Sequence, residues 1–274
     1  MTALIAGLGA FGAIIGSFVN VVIWRVPRGQ SLLLPSRCVR CETRLRPLWN
    51  VPVVSWLVLR GRCGSCGTPV SARYLFIELA TAAAFALVAW WYLAMNGGLP
   101  TSPLSTLAWW AGLVAFLWFA AAAIALAAID FRYFRLPDVI VLPSVVAVTG
   151  LLALAAALTG DWSRLGSTLL GALAAFALYL IIVLVYPAGL GFGDVKLAPV
   201  IGAATGYVGF PALLWGVFAG FVLGAAVGIG LLISRRSTRR RAIPFGPWML
   251  LGAWVGIVAG DAIMRGYLSV VGLA

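Results

Sequence analysis

Long apolar runs separated by short polar breaks dominate the chain. They lie near residues 2–24, 74–95, 107–129, 137–158, 166–187, 197–210, 211–233 and 244–263. A membrane-spanning helix needs about 20 mostly apolar residues, so we expect about eight transmembrane helices. The sixth and seventh runs meet at residues 209–211 with almost no loop. The pattern predicts an all-α polytopic membrane protein with a single sizeable extramembrane segment, residues 25–73.

Composition narrows the class of protein further. Of 274 residues, 63% are hydrophobic and 9% are charged, against about 25% charged in ordinary soluble domains. A soluble enzyme, a disordered tail and a nucleic-acid-binding domain are thereby excluded. The net charge is +12, and in so apolar a chain it indicates membrane topology and contact with membrane lipid rather than nucleic acid. No histidine is present, which excludes His-based triads and His-ligated metals.

The positions of the basic residues predict the orientation. With the N-terminus outside, residues 25–73, 130–136, 188–196 and 234–243 face the cytoplasm and hold 17 of the 19 Lys and Arg residues. Such a bias is typical of cytoplasmic loops. The basic run 234–241 is expected to lie beside anionic lipid.

Two Cys-x-x-Cys pairs stand in the 25–73 segment. Cys38 and Cys41 form the first pair, and Cys63 and Cys66 form the second after 21 intervening residues. Four thiolates so spaced suit a tetrahedral zinc site that is closed, and hence structural. Free redox thiols and disulfides are the alternatives, and the predicted cytoplasmic location disfavours disulfides. Gly64 and Gly67 are expected to allow the tight backbone that such a site needs.

Two of the seven acidic residues are candidates for catalysis. Asp130 ends the third apolar run, and Asp194 stands just before the sixth. Both fall at the predicted cytoplasmic face, where two carboxylates can serve as general base and general acid in aspartyl-protease chemistry. The glycines before Asp194 are expected to let the backbone turn sharply and a substrate strand approach. The alternative is that the two aspartates pair with Arg132 or Lys196.

Two further acids stand near the boundaries of the apolar runs. Glu78 lies inside the second run, where an ionisable group is costly and usually functional. Its alternative role is an ion pair with Arg73 at the cytoplasmic boundary. Asp138 follows Pro137 and is expected to cap the helix that starts there.

Ordered motifs along the chain resemble those of the bacterial type IV prepilin peptidases, which are GxGD aspartyl proteases. The similar segments are residues 16–27 (GSFVNVVIWRVP), both cysteine pairs, 50–57 (NVPVVSWL), 59–63 (LRGRC), Arg73-Tyr74 with Glu78, 129–138 (IDFRYFRLPD) and 190–197 (LGFGDVKL). The resemblance implies an eight-helix, multi-pass enzyme of the bacterial inner (cytoplasmic) membrane with Asp130 and Asp194 as its catalytic residues.

The activity that the resemblance implies has two steps. The enzyme would cut the basic leader from type IV prepilins or type II secretion pseudopilins at the cytoplasmic face. It would then methylate the new N-terminal amine with S-adenosylmethionine. We expect methyl transfer to depend on the 25–73 module, with Glu78 touching the methyl donor or the substrate amine.

The chain is therefore divided into a first transmembrane helix (1–24), a cytoplasmic four-cysteine module (25–73) and a transmembrane aspartyl protease core (74–274). Two other functions stay open at this point. One is a GxGD peptidase without methyltransferase activity, and the other is a non-enzymatic membrane transporter or scaffold. The four-cysteine segment favours the enzyme with both activities.

Overall fold

A computed structural model describes residues 1–38, 40–44, 47–187, 189–233 and 244–272. The described chain is helical, with its helices in the order α1 Thr2–Arg25, α2 Val54–Val58, α3 Arg73–Met95, α4 Pro103–Tyr133, α5 Asp138–Leu158, α6 Trp162–Val185, α7 Phe192–Val208, α8 Phe210–Ile233 and α9 Gly246–Val270. The predicted basic run 234–241 lies outside the described residues. The eight apolar runs correspond to the eight long helices, which confirms the predicted fold class.

Within the part of the chain that the structure describes, seven helices are long and apolar enough to cross a membrane, and the chain is a multi-pass membrane protein. The eighth, α7, has 17 residues and a length of about 26 Å, slightly short of a hydrocarbon core of about 30 Å. Most of its side chains are nevertheless buried. This burial places α7 inside the helix bundle rather than at its lipid-facing rim.

Several helices extend beyond the apolar runs that predicted them, and two of these differences bear on the candidate site. The third run was expected to end at residue 129, but α4 continues to Tyr133 and includes Asp130. The sixth was expected to begin at residue 197, but α7 already begins at Phe192 and includes Asp194. Charged residues and glycines lower the local hydropathy, but at the end of a helix they still form helical hydrogen bonds. The apolar run is therefore shorter than the helix.

The chain forms two compact units, Met1–Gly98 and Leu99–Ala274. In the first unit, α1 packs closely along α3 through two glycines of α1. A Cβ atom at Gly12 would lie 2.7 Å from the Thr81 carbonyl oxygen, and one at Gly16 would lie 2.7 Å from the Glu78 Cα. Small residues thus bring the two helices together, as they do in many membrane proteins.

In the second unit, two further glycine seams hold neighbouring helices. A Cβ at Gly202 of α7 would overlap the Gly171 carbonyl of α6, and one at Gly256 of α9 would overlap the Ala212 carbonyl of α8. Packing of this kind fixes the rotation of each helix about its own axis. The seam on α7 therefore determines the direction in which Asp194 points.

Candidate active site and metal centre

Asp130 and Asp194 are brought together in the second unit. Asp130 lies in the last turn of α4 and is 5% exposed, and Asp194 lies in the first turn of α7 and is 7% exposed. Their charges are close enough to interact electrostatically. The end of one helix and the start of another thus place two buried carboxylates in one site.

The Asp194 carboxylate is held by the backbone at the start of its own helix. The Gly191 N–H donates to Asp194 Oδ2 at 3.1 Å, and the Asp194 N–H donates to the Gly191 carbonyl at 3.0 Å. This reciprocal pair is a capping arrangement. It orients the carboxylate toward the positive end of the α7 dipole, which favours an anion.

The turn expected of the glycines before Asp194 does not use positive φ, because Gly191 has φ −87° and no described glycine of this motif is left-handed. Gly189 lies in a turn, where its N–H donates to the Tyr186 carbonyl at 3.0 Å and a Cβ would lie 2.5 Å from the Tyr186 ring. Gly193 provides space, because a Cβ there would lie 3.2 Å from the Leu136 Cβ.

Gly246, the first residue of α9, is part of the site and was not predicted. Its N–H donates to the Asp130 carboxylate. A Cβ at Gly246 would lie 2.9 Å from Asp130 Oδ2 and 3.2 Å from the Leu136 side chain. The available sequence signal is the Pro247 that follows, since proline in the first turn marks a helix start.

Asp138 and Lys196 form an ion pair beside the aspartates. Lys196 Nζ lies 2.7 and 2.9 Å from the two carboxylate oxygens of Asp138. The expected Asp138 cap is wrong, because the N-cap of α5 is Pro137 and Asp138 lies in the first turn. The alternative pairing of Asp194 with Lys196 is also wrong. Within the described residues, neither Asp130 nor Asp194 takes part in an ion pair.

The four cysteine sulfurs form one cluster in the first unit. All Sγ atoms lie within 4.8 Å of one another, and those of Cys38 and Cys66 are 3.8 Å apart. A tetrahedral site with metal–sulfur bonds of about 2.3 Å requires sulfur atoms about 3.8 Å apart. The donor set and its spacing therefore fit a metal ion such as zinc.

The two cysteine pairs have the same backbone fold. The N–H of Cys38 donates to the Thr43 carbonyl at 3.0 Å, and that of Cys63 donates to the Thr68 carbonyl at 2.8 Å. The residue after each second cysteine is left-handed, Glu42 with φ 54° and Gly67 with φ 69°. The expected tight backbone is thus confirmed at Gly67, whereas Gly64 does not have positive φ.

The threonine of each pair supports the thiolate form. The Thr68 hydroxyl lies 3.2 Å from the Cys66 sulfur, and hydrogen bonds from Thr68 lower the pKa of Cys66 to about 6. Hydrogen bonds from Thr43 lower the pKa of Cys41 as well. These threonines were not predicted, although Cys-x-x-Cys-x-Thr occurs at both pairs. A thiolate is the form that binds a metal.

Glu78 is buried in the first unit at 8% exposure. Its carboxylate accepts the Val53 N–H at 2.7 Å and a hydrogen bond from the Ser17 hydroxyl. The alternative ion pair with Arg73 is absent from the described residues. Glu78 thus connects α1, α3 and the segment that contains the cysteines.

The chain is similar to known proteins over most of its length. Residues 10–92 match the Bacterial Peptidase A24 N-terminal domain, and residues 114–229 match the Type IV leader peptidase family. Proteins named prepilin leader peptidase/N-methyltransferase are 32% identical in Aeromonas salmonicida, over 95% of this chain and 92% of that protein, and 34% identical in Aeromonas hydrophila, over 94% and 92%. The protein of that name in Pseudomonas aeruginosa is 31% identical over 95% of this chain and 92% of that protein. No solved structure matches the chain significantly.

Proposed function

Because this chain belongs to the type IV leader peptidase family, we propose that it cleaves the leader peptide from prepilins and then N-methylates the new N-terminal residue. Type II secretion pseudopilins are the second substrate class. The observation that carries the peptidase function is the meeting of two buried carboxylates at the ends of α4 and α7.

Asp130 and Asp194 act as the catalytic pair. One carboxylate, ionised, takes a proton from water, and the oxygen of that water attacks the scissile carbonyl carbon. The other, protonated, donates to the carbonyl oxygen. When the C–N bond breaks, the leaving amine takes up a proton and the new carboxyl group remains on the leader. The fixed hydrogen bonds from Gly191 and Gly246 hold both carboxylates in position during these transfers.

Cys38, Cys41, Cys63 and Cys66 hold a structural zinc ion. The spacing of their sulfurs supports this role, and a set of four thiolates leaves no open position for substrate. The ion stabilises the 25–73 module.

Methyl transfer uses S-adenosylmethionine as the methyl donor. When bound, the donor would supply the methyl group to the neutral form of the new N-terminal amine, which would lose a proton. Glu78 contacts the donor or the substrate amine. A charged donor needs polar partners, and residues 25–73 form the largest polar segment of the chain.

The chain is divided into a first transmembrane helix (1–24), the four-cysteine module (25–73) and the protease core (74–274).

The enzyme resides in the bacterial inner membrane among membrane lipid, with its active site at the cytoplasmic face and no nucleic acid partner. The distribution of Lys and Arg supports this orientation, since Asp130 and Asp194 lie in segments on the side of the membrane that holds most of the basic residues. A prepilin keeps its apolar helix in the bilayer, so its leader is cut where that helix meets the cytoplasm.

The test is incubation of the purified enzyme with a prepilin, with and without S-adenosylmethionine, followed by mass measurement. We expect loss of the leader in both reactions and addition of one methyl group only when the donor is present. An intact prepilin would contradict the peptidase function. Cleavage without any methyl addition would contradict the methyltransferase function alone.

A further inference from the structure

Asn20 is a buried polar residue that the catalytic proposals do not use. It lies on α1 at 1% exposure, and its Nδ2 donates to the Tyr74 carbonyl of α3 at 3.0 Å. Its Oδ1 is buried and has no hydrogen-bond partner among the described residues. If the Asn20 amide were flipped, its oxygen would face the Tyr74 carbonyl oxygen, and both atoms are acceptors. The Nδ2 atom is therefore the one that faces Tyr74. An orphaned buried acceptor is costly and indicates a missing donor.

The Glu78 carboxylate belongs to the same seam between α1 and α3. Ser17, whose hydroxyl bonds Glu78, precedes Asn20 by three residues on α1, and Tyr74 precedes Glu78 by four residues on α3. Residues three or four apart share one face of a helix. The amide oxygen and the carboxylate are therefore about one helical turn apart on facing surfaces.

The segment that covers Glu78 is strained. Val53 has φ 62° and ψ −54°, and the Val54 N–H donates to the Pro52 carbonyl at 2.6 Å. This is the γ-turn of positive φ, which is rare and strained, and a β-branched residue makes it more so. The hydrogen bond from Val53 to Glu78 holds the turn in place. Retained strain of this kind is typical of ligand sites.

We propose that Asn20 Oδ1 and the Glu78 carboxylate together bind a primary ammonium group. Both offer acceptors, and an ammonium group carries three N–H donors and no acceptor. The inference rests on the proposed methyl transfer, because both reactants of that step carry such a group. The new N-terminus of the cleaved pilin is one, and the amino-acid portion of the methyl donor is the other.

Two substitutions separate this role from a purely structural one. Asn20→Leu removes the acceptor, whereas Asn20→Asp keeps it and loses the donor to Tyr74. If Asn20 binds an ammonium group, Asn20→Leu is the damaging change. If Asn20 only joins α1 to α3, Asn20→Asp is the worse change, because it sets a carboxylate against the Tyr74 carbonyl.

Binding is measured on the full-length protein in detergent by equilibrium dialysis. One arm uses labelled S-adenosylmethionine, and the other a labelled peptide with the N-terminal sequence of a cleaved pilin, with its terminus free or acetylated. We expect Asn20→Leu to lower the affinity for one of these ligands by about tenfold or more. Asn20→Asp should bind that ligand more tightly than Asn20→Leu does. The arm that changes identifies the source of the ammonium group.

Asn96→Leu is the control for loss of an asparagine side chain, since the Asn96 amide also donates to a backbone carbonyl, that of Tyr92 four residues earlier at 2.8 Å, but is exposed at the end of α3. Unchanged binding of both ligands by Asn20→Leu would overturn the proposal, as would weaker binding by Asn20→Asp than by Asn20→Leu. Absence of methyl transfer in the unaltered enzyme would instead contradict the proposed function.

Discussion

The backbone N–H of Gly246 donates a hydrogen bond to the Asp130 carboxylate, although 115 residues of the chain separate the two. The contact depends on the missing side chain, because a Cβ at Gly246 would lie 2.9 Å from Asp130 Oδ2. The start of α9 is therefore as much a part of the candidate site as the end of α4.

Gly246→Ala is expected to slow leader cleavage by about 10- to 100-fold, because small misplacements of a catalytic group are costly. The loss should fall on kcat more than on KM, since the change displaces Asp130 rather than a substrate contact. Gly266→Ala on the same helix is the control, because nothing lies within 4 Å of its added methyl group. Equal rates for the two variants would contradict the role of Gly246.

Asp130→Asn and Asp194→Asn should each abolish detectable cleavage while the protein still inserts in the membrane. Loss of a general acid or base alone costs about 10²–10⁴-fold, and loss of the pair that activates water should cost more. The measurement is the cleavage rate of a prepilin in detergent. Asp138→Asn, which only weakens the pair with Lys196, should retain much of the activity. A near-normal rate for either active-site variant would remove that residue from the catalytic pair.

The purified protein should contain one tightly bound zinc ion per chain. Serine at any one of the four cysteine positions should loosen the module, because binding energy at a structural zinc site is largely folding energy. Metal analysis and limited proteolysis of residues 25–73 measure the two effects. Ser65→Ala, which lies within the second pair but supplies no ligand, should keep both zinc and protease resistance. Substoichiometric zinc in protein never exposed to chelator would count against the site.

Glu78→Gln should yield pilin that is cleaved but not methylated. Glutamine retains an oxygen that can accept the Val53 N–H, so the change removes the negative charge with little effect on the fold. Mass measurement of the pilin product separates the two activities. Fully methylated product would exclude a role for the charge, and loss of both activities would indicate that Glu78 is structural.

The two cysteine pairs should respond differently to exchange of their left-handed residues. Gly67→Ala places a side chain at φ 69° and should destabilise the module by about 1–2 kcal/mol, whereas Glu42→Gly relieves φ 54° and should not. The rate of zinc release to a chelator measures this difference. Faster release from Glu42→Gly than from Gly67→Ala would be the contrary result.

The sequence predicted the features that are local in the chain. Apolar runs indicated the helices, and spacing indicated the four-cysteine cluster. The start of α7 was missed because Gly191 and Gly193 read as a loop, whereas they open a helix whose first turn carries Asp194. Long-range backbone contacts were not predictable. Gly246 has no side-chain chemistry that would attract notice, and the bond from Val53 to Glu78 depends on a turn that the residue types disfavour.

The glycine seam between α6 and α7 has a consequence for insertions and deletions. Gly202 is locked against the Gly171 backbone, eight residues or about 12 Å along α7 from Asp194. One residue added between Asp194 and Gly202 would turn the carboxylate about the axis by about 100°, away from Asp130. A backbone contact two turns away thus sets the rotation of the catalytic aspartate about the α7 axis, and a change of length between Asp194 and Gly202 should abolish the site even where every side chain is kept.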